Sequence, residues 1–293
     1  MKVFAFVLLL LWLASPAAAQ RAGARNTEPA TGRLDVGGGS IYYETLGVGP
    51  PVVLIHGGFG DRRMWDGQFR AFAARHRVVR YDHRGFGRSA APQGPYSPVA
   101  DLLRLLDSLN IRRAHLVGNS MGGILAIDFA LMHPERVASL VIVASGPNGL
   151  PVPQADMDAV MKVFRAAETE GPEKSAELWL AHPMVAVSSK QAGARELLRT
   201  MISENRSVFL LKHWPSEELN PPAARRLGEI RAPTLVVIGG RDTEFSRRMG
   251  EEAARGIAGA KRVVMAEGDH LSQMVSPAEF NRHVLSFWRS LKD

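Results

Sequence analysis

The feature of this chain with the most chemistry in it is a serine with glycines two positions to either side, Gly118-Asn119-Ser120-Met121-Gly122. It lies between an apolar run, Ala114 to Val117, and a segment of helical spacing, Ile124 to Met132. A serine on a sharp turn from strand to helix takes strained backbone angles, and the flanking glycines let the chain pass without a Cβ clash. Such a turn lifts the hydroxyl clear of the sheet. The helix beginning there aims free backbone N–H groups and its positive end at any oxyanion forming beside Ser120. Type and spacing thus point to attack by a hydroxyl on a carbonyl carbon, which needs a neutral imidazole elsewhere in the chain to take the proton.

Competing chemistries have weaker signatures. Gly85-x-Gly87-x-x-Ala90 formally matches a dinucleotide fingerprint, but Pro92 and Pro95 stop a helix from starting there to receive a pyrophosphate. No phosphate-binding G-x-x-x-x-G-K-[ST], no H-E-x-x-H and no clustered His/Asp pattern occurs, so neither a cofactor nor a metal is expected. With no cysteine the chain has no thiol nucleophile, disulfide or zinc-thiolate site. The 36 Lys+Arg against 29 Asp+Glu give a net charge of +7. These cations occur as isolated pairs such as Arg62-Arg63 and Arg112-Arg113, not as a stripe interleaved with aromatics, which argues against nucleic acid as a partner. Asn205-Arg-Ser207 fits a glycosylation sequon, a match too short to carry weight.

The elements that must position Ser120 follow from the hydrophobic pattern. The 293 residues, 46% apolar and 22% charged, suit one large α/β domain or two small ones. Lys2, the apolar run Val3 to Leu13 and the small residues Ala17-Ala18-Ala19 form a signal-peptide pattern over 1–19, too short to span a bilayer about 30 Å thick. Export to the periplasm or medium is expected, with no lasting membrane span, and residues 20–32 read as a flexible lead-in. Strand-like runs recur at Ile41 to Thr45, Val52 to Ile55, Arg77 to Tyr81, Ala114 to Val117, Val137 to Val143, Thr234 to Ile238 and Arg262 to Met265. Helical spacing at Asp101 to Leu109, Ile124 to Met132 and Pro277 to Leu291 alternates with them. That alternation implies a mostly parallel sheet covered on both faces, and Gly37-Gly38-Gly39 adds a hairpin and an antiparallel edge. Between 147 and 226 the strand signals stop, helical stretches appear around Asp156 to Ala167, Lys174 to Ala181 and Ala194 to Val208, and prolines bracket the interval. It reads as a helical cap inserted into a core of residues 33–146 and 227–293.

From about Arg33 to its end the chain resembles the α/β-hydrolase family. His56-Gly57-Gly58-Phe59-Gly60 follows a strand as the family's oxyanion loop does, and Asp82-His-Arg-Gly85-Phe-Gly87-Arg-Ser89 is similar to its D-x-R-G-x-G-x-S turn. The resemblance implies Ser120 as nucleophile. In the family order Ser, Asp, His, it also implies Asp242 as the acid after a late strand and His270 as the base after the last one. Backbone N–H groups of Met121 and of Gly58 or Phe59 would hold the oxyanion, the choice between the last two staying open. Asp269, beside His270, and Glu244 are rival acids, whereas Ser145-Gly-Pro-Asn148 offers no carboxylate after the sixth strand. A base of ordinary histidine pKa predicts activity falling below pH about 6 to 7.

Serine at position 120 disfavours the epoxide-opening and halide-removing branches of the family, which use aspartate there. Gly118-Asn-Ser-Met-Gly-Gly123 resembles hydrolases of carbon–carbon bonds, and Arg80 to Ser89 with Pro92 to Tyr96 resembles enol-lactonases. The expected activity is hydrolysis of a small carboxylic ester or lactone. The alternatives are carbon–carbon bond hydrolysis or cofactor-free perhydrolysis by the same residues, or a slow-turnover ligand receptor. Met157, Met161, Phe164, Trp179, Met184, Phe209 and Trp214 are candidate cap residues for an apolar pocket wall, and His182 and His213 lie beside them in sequence. The other histidines read as structural.

Overall fold

In a computed structural model that describes residues 28–205 and 219–291, eight strands form one sheet in the order β1-β2-β4-β3-β5-β6-β7-β8. They are β1 (Ala30–Asp35), β2 (Ser40–Leu46), β3 (Pro51–Ile55), β4 (Arg77–Tyr81), β5 (Ala114–Asn119), β6 (Val137–Val143), β7 (Thr234–Gly239) and β8 (Lys261–Met265). β1, β2 and β4 pair antiparallel, and the remaining neighbours pair parallel. The expected signal peptide, 1–19, lies outside the described residues. Among those described, no helix is long and apolar enough to cross a membrane.

The strands read as continuous apolar runs because both faces of the sheet are covered, so alternate side chains need two separate cores. Val52, Leu54, Val117, Val141 and Val237 point to one core, which α1 (Asp66–Ala73) and a C-terminal helix (Pro277–Ser290) complete. Val53, Ile55, Leu116, Ile142 and Val236 point to the other, closed by α2 (Pro98–Ser108) and α3 (Met121–Met132). Between β6 and β7 the chain forms α4 (Gln154–Thr169), α5 (Pro172–Leu180) and α6 (Ala192–Glu204). Phe164, Trp179, Leu198 and Met201 from these helices join the first core.

Strand order decides where chemistry collects. β3 and β5 are neighbours, yet the chain leaves β3 for β4 on one side and leaves β5 for β6 on the other. Loops that diverge from adjacent parallel strands open a crevice at the strands' carboxyl ends. The loop after β3 carries His56 to Gly60 and the turn after β5 carries Ser120.

Two differences from the sequence reading have physical causes. β1 starts at Ala30, inside the interval 20–32 read as flexible, because Ala30 to Gly32 are ordered by pairing with Thr45 to Tyr43 on β2 and not by apolar side chains of their own. A helix over Glu244–Gly256 (α7) was not among those read from the hydrophobic spacing. Its buried residues, Ser246, Gly250 and Ala253, are small, so its amphipathic pattern is carried by the charged residues opposite them and not by a run of large apolar side chains.

Candidate active site

Ser120 sits at φ 51° and ψ −119°, a sparsely populated positive-φ conformation that costs an L-residue about 1 to 3 kcal/mol. The elbow tolerates no side chain beneath it, since a Cβ on Gly118 would lie 2.2 Å from Gly122 O and one on Gly122 would lie 2.4 Å from Ile55 O. Ser120 N donates to Val143 O at 2.9 Å, and Ser145 Oγ donates to Ser120 O at 2.6 Å. Val143 at the end of β6 and Ser145 just beyond it thereby brace the strained residue through both of its backbone polar groups. Met121 N opens α3, where no carbonyl one turn back exists to occupy it.

Ser120, Met121, Gly58, Phe59 and His270 line one cavity of about 210 Å³. Phe59 packs its ring against Phe164 and Trp179 of the inserted helices, with centroids 4.4 and 4.3 Å apart. Behind this loop His56 donates from Nδ1 to Gly57 O at 2.8 Å and accepts from His83 N at Nε2, 3.0 Å away, which sets its tautomer. The Asp82 to Ser89 turn does not reach the cavity. Its Asp82 accepts from the backbone of Arg62 and Arg88 and from the Arg62 guanidinium, so the motif braces the floor under the loop.

His270 and Asp242 meet from separate loops. Gly239 makes this approach feasible, because a Cβ there would lie 2.2 Å from Asp269 O. His270 Nδ1 is 2.8 Å from Asp242 Oδ2, and both side chains are buried. Burial by itself would push the imidazole down, but the Asp242 charge, its hydrogen bond and the Asp269 charge outweigh it and raise the pKa above the ordinary 6.5. With Nδ1 engaged, Nε2 is the nitrogen left for proton transfer. Among the described residues no hydrogen bond joins Ser120 Oγ to this ring, although both residues line the same cavity; resting geometry of this kind commonly tightens when substrate binds.

The rival acids are placed elsewhere. Asp269 turns away from the imidazole, and its Oδ2 accepts from Val187 N, Ser188 N and Ser188 Oγ at 2.9, 2.7 and 2.9 Å. Glu244 opens α7, next to its N-cap Thr243. Three residues that sequence reasoning missed hold the site together. Ser246 Oγ donates to Asp242 Oδ2 and lies 3.1 Å from His270 Nδ1. Asn119 Nδ2 donates to His270 O at 2.9 Å, tying the elbow to the histidine loop. Asn205, in the sequon, is buried, accepting from Gly87 N and donating to Gly60 O, which leaves no room for a glycan. Only Ser246 had a signal in the sequence: Thr243 three residues earlier marks a helix start, and Thr243 Oγ1 accepts from Ser246 N.

The inserted helices supply Val160, Phe164, Trp179 and Leu198 to the wall, with Met184 from the segment between α5 and α6. Met157 lines a neighbouring cavity, Met161 packs on the core, and Phe209, His213 and Trp214 lie outside the described residues. His182 is buried against Trp179, ring centroids 5.2 Å apart, and does not line the wall. Among the described residues no group of three or more His, Asp or Glu could hold a metal ion.

The raised pKa of His270 has a measurable consequence. A base works only when neutral, so kcat/KM should rise with pH through a midpoint above 6.5. The same shift stabilises the fold fully below the unfolded value and is lost as pH rises through the folded one. Loss of activity in acid should therefore not coincide with unfolding driven by this group. A pH–rate profile beside thermal melts checks both, and an acid limb at or below 6.5 would contradict the charge balance described.

Comparison with known proteins gives consistent results. A family model described as alpha/beta hydrolase fold matches residues 50–277. The chain is 32% identical over 283 residues to a 2-hydroxy-6-oxononadienedioate/2-hydroxy-6-oxononatrienedioate hydrolase of Klebsiella pneumoniae, covering 89% of this chain and 96% of the relative. A hydrolase structure from Pseudomonas aeruginosa PA01 is 30% identical with a TM-score of 0.74, covering 90% of this chain and 99% of the other. An enol-lactonase from Burkholderia xenovorans LB400 is 25% identical with a TM-score of 0.76, covering 88% and 100%.

Proposed function

The chain belongs to the α/β-hydrolase family, and from that premise we propose that it is a serine hydrolase cleaving a small, uncharged carboxylic ester or lactone through an acyl-enzyme. The observation that carries this reading is a strained serine sharing a cavity with an imidazole whose far nitrogen is held by Asp242. Ser120 Oγ attacks the carbonyl carbon while His270 Nε2 takes its proton, and Asp242 stabilises the imidazolium. Met121 N–H, with Gly58 or Phe59 N–H, receives the charge developing on the carbonyl oxygen. His270 then protonates the leaving alkoxide, and water attacks the acyl carbon by the same proton path in reverse.

The wall supports the substrate class. The side chains around Ser120 are aromatic and aliphatic, with no Lys or Arg among the described lining residues. A second cavity of about 200 Å³ shares Ile124, Val160 and Met184 with the first, so apolar groups fit on both sides of a scissile bond. The Klebsiella relative is named for a dioate, whose two carboxylates would be desolvated here with no Lys or Arg among the described lining residues. The reading includes residues 147–226 as a cap over the cavity and export directed by residues 1–19.

The discriminating measurement compares kcat/KM for short aryl esters and neutral lactones with that for a 2-hydroxy-6-oxo-dienoate. A value at least tenfold higher on the neutral substrates is expected. The reverse ranking would move the reading to carbon–carbon bond hydrolysis by the same residues, and stoichiometric binding without turnover would move it to a receptor.

A further inference from the structure

A larger cavity, about 530 Å³, lies at the opposite end of the sheet from Ser120. Its wall includes Pro50, His115, Ala138 and Pro233, which sit at the amino ends of the strands β3, β5, β6 and β7. Arg75, Arg113 and Arg289 surround it, and no Asp or Glu is among its lining residues. None of these arginines forms an ion pair among the described residues. Three cations around one concavity, with no acidic side chain among the described residues that line it, concentrate positive potential there, at a cost that a bound anion would relieve.

The remaining wall sets the rings of Trp288, His76 and His115 beside Leu285 and Leu291. The Trp288 ring lies 4.8 Å from His76 and 5.3 Å from His115, centroid to centroid, and the two histidine rings are 6.1 Å apart and nearly perpendicular. Burial, His76 and Arg113 push His115 down to about 4, and burial with Arg75 holds His76 below the usual histidine range. Both imidazoles are thus neutral at pH 7 and present ring surface, leaving the positive charge to the guanidiniums. Planar rings beside guanidiniums match a flat apolar body carrying one carboxylate, since arginine pairs carboxylates through two parallel N–H donors.

We propose that this cavity binds aromatic carboxylates at a site separate from the catalytic one. The test titrates the full chain with 2-naphthoate, reading heat or tryptophan fluorescence. Wild type is compared with Arg75→Gln/Arg289→Gln, whose two exposed side chains make no hydrogen bond among the described residues, so the thermal midpoint should stay within a degree or two. Saturable binding in wild type, weakened about tenfold in the double variant, supports the site. At least tenfold weaker binding of 2-naphthamide would show that the charge is read. Equal binding to both proteins, no saturation at millimolar 2-naphthoate, or equal affinity for the amide would overturn the proposal. Displacement of 2-naphthoate by an equal concentration of inorganic phosphate would also overturn it, because the aromatic wall would then contribute nothing.

Discussion

Ser120→Ala should lower kcat/KM by about 10⁴- to 10⁶-fold, or about 5 to 8 kcal/mol of transition-state stabilisation, and should abolish labelling by a fluorophosphonate. The residual rate would come from the backbone donors and the cavity, which the substitution leaves in place. The protein should remain folded, because alanine takes the same backbone angles and the braces to Val143 O and from Ser145 Oγ involve only the backbone of residue 120. Ser120→Gly should be equally inactive and about 1 kcal/mol more stable than the alanine variant, since glycine occupies φ 51° without the Cβ penalty. A turnover loss below tenfold in either variant would remove Ser120 from the mechanism.

Asp242→Asn should cost about 10⁴-fold in kcat, with a smaller change in thermal midpoint than Asp269→Asn. An amide at position 242 turns an N–H toward Nδ1, favours the other imidazole tautomer and places a proton on Nε2, where the base needs a lone pair. Asp269→Asn should behave in the opposite way. Its carboxylate is fully buried and accepts from three backbone N–H groups and a hydroxyl, so an amide N–H set against those donors should destabilise by about 3 kcal/mol. The fraction that folds should keep most of its kcat, because the side chain does not touch the imidazole. Circular dichroism melts and steady-state kinetics on both variants separate the roles. If Asp269→Asn were the catalytically dead protein and Asp242→Asn merely unstable, the assignment would have to be exchanged.

Much of the fold was legible because it is written in local physics. Val52 to Ile55 and Thr234 to Ile238 read as buried strands since both faces need apolar cover, and α3 was announced by the glycines that its strained N-cap requires. Hidden elements had weaker local marks. α7 packs through Ser246, Gly250 and Ala253, and β1 is held by a ladder to β2. The site divides in the same way. Ser120 was visible in the motif alone. Asp242 and His270 were named by resemblance, Ser246 was marked only by the helix start at Thr243, and Asn119 and Asn205 act through contacts that no spacing announces.

The sequence by itself determined the alternating elements, the elbow at Ser120 and the absence of thiol chemistry, because each depends on residues within one turn or one strand of one another. The tertiary structure alone decided which of two nearby carboxylates faces the imidazole and which secures the connection between α5 and α6. It also brought arginines from positions 75, 113 and 289 to one cavity. Those outcomes depend on strand order and on how closely backbones approach, as at Gly239 against Asp269, and such distances between remote segments exist only once the sheet has assembled.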